Sequence, residues 1–358
     1  MYKKWISVLA SLTLVTLLFA ACGALDPFPL SKPGPYDFGT RQNYEFTDPS
    51  RADRAVGLTV WYPAVLPADA EPSDYNYNAE PDLSGAPYPL ILSSAKMGSL
   101  FGPHMASYGF VVVGITRIDS SSSWGKWLIN DPLDILFALN QVADAPLEGL
   151  EGMIDANHAG AMGYSFDGYN ALALGGARVD PAFYQTQCAS AASMDPAPPE
   201  WWVKYICEMS VPWEEFTALA GPAITTSTDG LWQPMTDDRI LAVMPMAPEG
   251  AWLFGERGLA AVDRPTLIIG ATADDINLYD LEAVYIYEYL GTPDKSMISF
   301  IGEEHSMVES DEPAARMKHF AVAFFGYYLQ EKTDYLDLFS EEFVSRRDGL
   351  AWGAYTEE

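Results

Sequence analysis

A serine held between an apolar run and a helical pattern constrains this chain more than any other feature. Gly163-Tyr164-Ser165-Phe166-Asp167-Gly168 follows the run His158 to Gly163, which reads as a short buried strand. It opens Tyr169 to Arg178, where apolar residues recur at helical spacing. A chain that passes from strand to helix in so few residues turns sharply and needs small residues beside the serine. The hydroxyl is then exposed above the sheet, and the next backbone N–H points at charge developing on a substrate oxygen. A Gly-x-Ser turn alone is more often functionless; the strand before it and the helix after it give this one its weight. One departure from the usual Gly-x-Ser-x-Gly spacing stands out. Asp167 occupies the second glycine position, and the glycine comes one residue later.

The 358 residues suffice for one large α/β domain with an insertion, or for two small domains. Residues 26–55, rich in Pro, Gly, Asp and Arg, read as a surface arm tethering the main domain to a membrane. Gly57 to Pro63 alternates and predicts an early antiparallel strand, and Ala64 to Ala86 reads as loop. Buried strands are predicted at Pro89–Ser93, Phe110–Ile115, Ile240–Pro245, Pro265–Gly270 and Ser296–Ile301, the last of the set. Helices are predicted from Leu100 to Tyr108, from Asp131 to Val142 and from Ala314 to Leu329. Strands alternating with helices imply a mainly parallel sheet covered on both faces. Residues 181–238 break the alternation with prolines, tryptophans and two cysteines, and read as a cap inserted over the site. The resulting organisation is a leader over 1–21, an arm over 22–55, a main domain over 56–330 and a C-terminal extension over 331–358.

The net charge is −29, and loss of the leader with Lys3 and Lys4 would make it −29 − 2 = −31. Such a chain repels phosphate backbones, which argues against a nucleic-acid partner. Met1 to Trp5 is a short basic start followed by an apolar run to Ala21, the layout of a secretory signal. The segment Phe19-Ala20-Ala21-Cys22 resembles a bacterial lipobox, with Phe19 departing from the usual leucine. That resemblance implies export, a lipidated Cys22 as mature N-terminus, and anchoring at the membrane of the cell envelope. Cleavage near Ala21 without lipid, or an uncleaved anchor, implies export equally. With Cys22 lipidated, Cys188 and Cys207 remain as a pair in an oxidising compartment, and a disulfide is expected. Closing a loop of about 20 residues stabilises by roughly 3 kcal/mol. No Cys-x-x-Cys, His-Glu-x-x-His or clustered His/Cys spacing supports a transition-metal site.

A serine nucleophile needs a histidine base and a carboxylate to orient it. Of the four histidines, His104 and His319 fall inside predicted helices and His158 begins a strand. His305 alone follows a strand's C-terminal end, the edge where open α/β sheets build their sites. Asp274 and Asp275 follow the preceding strand at the same edge. An Asp-Asp pair there also serves to cap the helix expected near Leu278. A calcium loop over 274–280 lacks the glycine that an EF-hand turn requires.

Tyr88 to Leu92, Tyr108 to Val113, Asp131 to Ile135, Gly163 to Leu174 and Pro265 to Gly270, in that order, resemble bacterial proteins of a particular group. These are the platelet-activating-factor acetylhydrolase-like and dienelactone hydrolase-like α/β-hydrolases, whose relatives include polyester hydrolases and cutinases. The likeness runs from about Gly57 to Leu329. It implies the α/β-hydrolase fold, Ser165 as nucleophile, His305 as base, and no cofactor. Asp274 matches the acid of the polyester hydrolases, Asp275 stands next, and Glu249 third. Glu249 lies where the eukaryotic acetylhydrolases take their acid. Oxyanion donors are expected at the N–H groups of Phe166 and Met97. Relatives carry His-Gly where this chain has Ala95-Lys96, so Lys96 either crowds the oxyanion site or adds positive charge there. Trp201, Trp202, Trp213 and Trp232 either line an apolar substrate site or form the insertion's own core.

The expectation is an exported serine esterase acting on a short-chain acyl, acetyl-phospholipid or related ester. The alternative is a surface-anchored binding protein that kept the fold without the chemistry, favoured by Asp167 and Ala95-Lys96.

Overall fold

The computed structural model describes residues 27–71, 73–118, 123–208 and 211–357. The expected leader and Cys22 lie outside them. β1 (Asp37–Asp48), β2 (Arg54–Val65), β3 (Glu80–Pro81), β4 (Tyr88–Ser94), β5 (Val111–Thr116), β6 (Ile154–Tyr164), β7 (Ile240–Met246), β8 (Thr266–Ala271), β9 (Lys295–Phe300) and β10 (Leu350–Trp352) share one sheet. Its order is β1-β2-β5-β4-β6-β7-β8-β9-β10, with β3 on β2. β2 runs antiparallel to both β1 and β5, and β10 antiparallel to β9. Every pair from β5 through β4, β6, β7 and β8 to β9 is parallel. The fold is therefore mixed α/β with a central, mostly parallel sheet.

Period-two alternation assigns the strand residues to faces. Ile91, Val112, Met162, Met244, Ile269 and Ile298 pack on one face with α1 (Ala95–Ser107). Leu90, Leu92, Val111, Val113, Ala161 and Val243 pack on the other with α2 (Trp124–Asp144). That second face also carries α3 (Phe166–Leu174), and the insertion adds α4 (Pro181–Ser190), α5 (Glu200–Glu208) and α6 (Trp213–Ala220) beyond it. α7 (Ala251–Leu259) joins this side, and α8 (Asp311–Leu329) closes the first through Phe320, Phe324 and Phe325. Both faces of the parallel strands are covered, which is why those strands read as near-continuous apolar runs.

Several expectations need correction. Residues 37–48, expected within a surface arm, form β1, which pairs with β2 on either side of a bulge between Arg41 and Tyr44. Phe28 and Leu30, also in the expected arm, sit in the core of the first face. Alternating polar residues at a sheet edge hide such a strand from an apolar-run search. β9 is not the last strand, because the C-terminal extension returns as β10 beside it. α2 begins seven residues before Asp131 and passes through Pro132. A proline removes one helical hydrogen bond, and here packing of Trp124 and Trp127 on Phe166 supports the turns before it.

The expected bond between Cys188 and Cys207 is present and ties α4 to α5. Trp202 and Trp232 are buried, and Trp213 stacks on Tyr184 at 5.1 Å between ring centroids. They do not form a separate core: Trp202 packs on Trp252 of α7, and the cluster runs on to Tyr169 and Leu172 of α3. Trp201 is exposed on α5. Among the described residues no helix is long and apolar enough to cross a membrane. Among them, too, no group of three or more His, Cys, Asp or Glu side chains could hold a metal ion.

Candidate active site

Because β4, β6, β7, β8 and β9 run parallel, the loops after them meet at one edge of the sheet. The residues that follow these strands are Ala95, Ser165, Ala247, Thr272 and Ile301. Ser165 sits between β6 and α3 with φ 59° and ψ −124°, a left-handed φ that a side chain tolerates only under constraint from its surroundings. Its N–H donates to Met246 O at 2.9 Å, and its carbonyl accepts from Gly168 N–H at 2.8 Å. Both flanking glycines are required by space. A Cβ at Gly163 would lie 1.8 Å from Asp167 O, and one at Gly168 would lie 2.8 Å from Pro248 Cα. The crowding that excludes a side chain therefore falls on residue 168, and residue 167 is free to carry one.

His305 opens a short 3-10 helix after β9. Ser165 Oγ lies 2.8 Å from its Nε2, and its Nδ1 lies 3.0 and 2.9 Å from the two oxygens of Asp274. An ionised carboxylate only accepts, so Nδ1 carries the proton and Nε2 is left to accept from the serine. Asp274 does two jobs, since its Oδ1 also accepts the N–H groups of Ile276 at 2.9 Å and Asn277 at 2.7 Å. Its side chain is 2% exposed and that of His305 12%, so little water competes for the pair. Tyr164, the last residue of β6, donates from its hydroxyl to His305 O at 2.6 Å and fixes the histidine's backbone. Asn277 donates from Nδ2 to Ala247 O at 2.8 Å, tying the Asp274 turn to the loop after β7.

The structure thus brings Ser165, His305 and Asp274 together. Asp275 is exposed and outside this chain of bonds. Glu249 is buried and accepts from Trp124 Nε1 at 3.0 Å and from Tyr205 Oη at 2.9 Å, rather than from His305. Burial pushes its carboxyl up to about 7, against the pull of those two donors. The other histidines are occupied elsewhere. His104 donates from Nε2 to Leu30 O at 2.8 Å, and burial pushes its imidazole down to about 4. His319 is fully buried and accepts the Leu30 N–H on Nδ1 at 3.1 Å. His158 is exposed beside Asp155.

Of the two expected oxyanion donors, Phe166 is the first residue of α3, where an N–H has no intrahelical acceptor. Met97 lies in the first turn of α1, and its N–H donates to the capping Ser94 Oγ at 3.3 Å. The expected helix start at Leu100 is corrected, since α1 begins at Ala95. Lys96 is exposed.

Asp167 is buried, its Oδ2 accepting from Ser94 Oγ at 2.6 Å and its Oδ1 from Asn170 Nδ2 at 3.2 Å. Arg117 NH2 lies 3.8 Å from Oδ1. Burial pushes the Asp167 carboxyl up; Ser94 and Arg117 pull it back. Arg117 donates from Nε to Asp131 Oδ2 at 2.9 Å and lies over the rings of Trp127 and Phe166, at 4.2 and 5.3 Å. Sequence reasoning passed over Arg117, Ser94, Trp124 and Tyr205. For Arg117 a signal existed: a basic residue directly follows β5, at the same sheet edge as the serine. No protein-family model and no curated protein matches the chain, so its function is argued from these residues.

Proposed function

We propose that the chain is a serine carboxylic-ester hydrolase of the α/β-hydrolase fold, acting on a short-chain acyl, acetyl-phospholipid or related ester. The observation that carries this reading is the unbroken line from Ser165 Oγ through His305 Nε2 and Nδ1 to Asp274, at 2.8 and 2.9 Å. It is supported by the strand order, with one antiparallel strand before a parallel series, and by the sharp turn at Ser165. Ser165 Oγ attacks the ester carbonyl while His305 Nε2 takes its proton. Asp274 stabilises the imidazolium, and the Phe166 N–H faces the charge that develops on the carbonyl oxygen. His305 returns the proton to the departing alcohol, and water then cleaves the acyl-enzyme by the same route in reverse. In this reading the enzyme is exported and held by lipid on Cys22, which mass spectrometry of the mature N-terminus checks.

A second reading has one observation in its favour. The Met97 N–H is engaged by Ser94, which suits a binding protein that kept the fold without a complete oxyanion site. Turnover of a short-chain nitrophenyl ester separates the two. Ser165→Ala and His305→Ala should each lose at least about a thousandfold in kcat with unchanged circular dichroism. Wild-type protein without turnover favours the binding protein.

A further inference from the structure

The residue that breaks the usual glycine spacing is built into the frame of the site. The chain Met97 N–H to Ser94 Oγ to Asp167 Oδ2, at 3.3 and 2.6 Å, joins the first turn of α1 to the first turn of α3. These are the two segments that follow β4 and β6, at the sheet edge that carries Ser165. A glycine at 167 could not accept from Ser94. Asp167 is itself held from three sides: Ser94 from the β4 loop, Asn170 from one turn along its own helix, and the Arg117 guanidinium 3.8 Å away. Arg117 is fixed in turn by fully buried Asp131 and by the faces of Trp127 and Phe166. Phe166 is the residue whose N–H is offered to the oxyanion. One buried polar network therefore reaches the first turns of both α1 and α3, and every charge in it has a partner.

We infer that Asp167, acting through Ser94, is a positioning residue that sets the α1 turn against the Phe166 N–H, and that this chain uses the pair where the usual Gly-x-Ser-x-Gly spacing has a glycine. The inference rests on the esterase reading. Oxyanion donors act through placement, because their bonds to the developing charge strengthen only in the transition state. A loop that drifts by a few tenths of an ångström therefore loses turnover without losing substrate affinity.

The test restores the usual glycine. Asp167→Gly should lower kcat about tenfold to a hundredfold, below the loss for outright removal of a donor, with KM within about twofold. Ser94→Ala, which also removes the cap on Met97 N–H, should lose at least as much, and the double variant should lose no more than Ser94→Ala alone, since both break the Ser94–Asp167 bond. Asp167→Asn, which still accepts from Ser94, should recover most of the loss. Binding of an alkyl boronic acid, a mimic of the tetrahedral adduct, should weaken in step with kcat across the set. A merely structural role would not tie the two together. Active-site titration with a fluorophosphonate counts competent molecules, so misfolded protein does not enter kcat, and Ser94→Ala deletes only one atom if Asp167→Gly folds poorly. Wild-type-like kcat in Asp167→Gly and Ser94→Ala, or a loss confined to KM, overturns the inference while leaving the esterase reading intact. A wild type with no ester turnover overturns both.

Discussion

At the scale of single residues, the assignment of the acid is the sharpest claim. Asp274 and Asp275 are adjacent, yet one is buried against His305 and two backbone N–H groups while the other faces solvent. Asp274→Asn should lower kcat about a thousandfold to ten-thousandfold, because an amide stabilises the wrong imidazole tautomer and no charge. Asp275→Asn should stay within about threefold of wild type on the same nitrophenyl ester. Equal losses in the two would mean that the 274–277 turn matters only as a scaffold. Ser165, Asp274 and His305 were legible as a group because each lies within five residues of a strand's C-terminal end at one sheet edge, and strand ends are what apolar runs reveal. Ser94, Arg117 and Asp167 were not legible as a group. Their contacts span 14 to 73 positions, and a side chain's partner across such a distance depends on helix starts that sequence patterns blur by several residues.

At the scale of elements, Glu249 ties the loop after β7 to two further pieces, α2 through Trp124 and the inserted α5 through Tyr205. Trp124 and Tyr205 also pack on each other at 4.9 Å, and Trp124 on Phe166 at 6.3 Å. The buried Glu282 nearby accepts the Ala251 N–H at 2.9 Å, and its carboxyl is pushed well up, by burial first and by the neighbouring Glu249 as well. Glu249 titrates near 7 in the folded chain, against 4.5 for an ordinary glutamate. The native state thus binds this proton more tightly than the unfolded state. The stability it contributes is full below pH 4.5 and is lost as pH rises through 7, by up to about 3 kcal/mol. Urea unfolding at pH 4.5 and pH 8 should show wild type losing more stability over that interval than Glu249→Gln. Parallel losses would mean that Glu249 is solvated and holds nothing. The insertion was legible as a break in alternation, but its attachment was not. A tryptophan and a tyrosine converging on one carboxylate leave no spacing to read. The start of α2 was hidden by Pro132, which ordinarily marks a helix's first turn.

At the scale of the whole molecule, the central strands were legible because a sheet covered on both faces demands apolar runs. The edges escaped notice for the opposite reason. β1 faces solvent on one side and carries Arg41 and Glu45, and β10 is three residues long. What the complete sheet achieves is alignment: six parallel strands deliver their loops to one edge, and serine, histidine and aspartate reach hydrogen-bond distance across 140 residues of chain. Whether that alignment activates the serine is the central claim, and it needs no guess at the natural ester. The most direct measurement is labelling of the folded, disulfide-intact protein with a fluorophosphonate, followed by peptide mapping. The account predicts one adduct, on Ser165, formed fast in wild type, absent in Ser165→Ala and slowed severely in His305→Ala. A folded wild-type protein that stays unlabelled, or one labelled at a different serine, would contradict it.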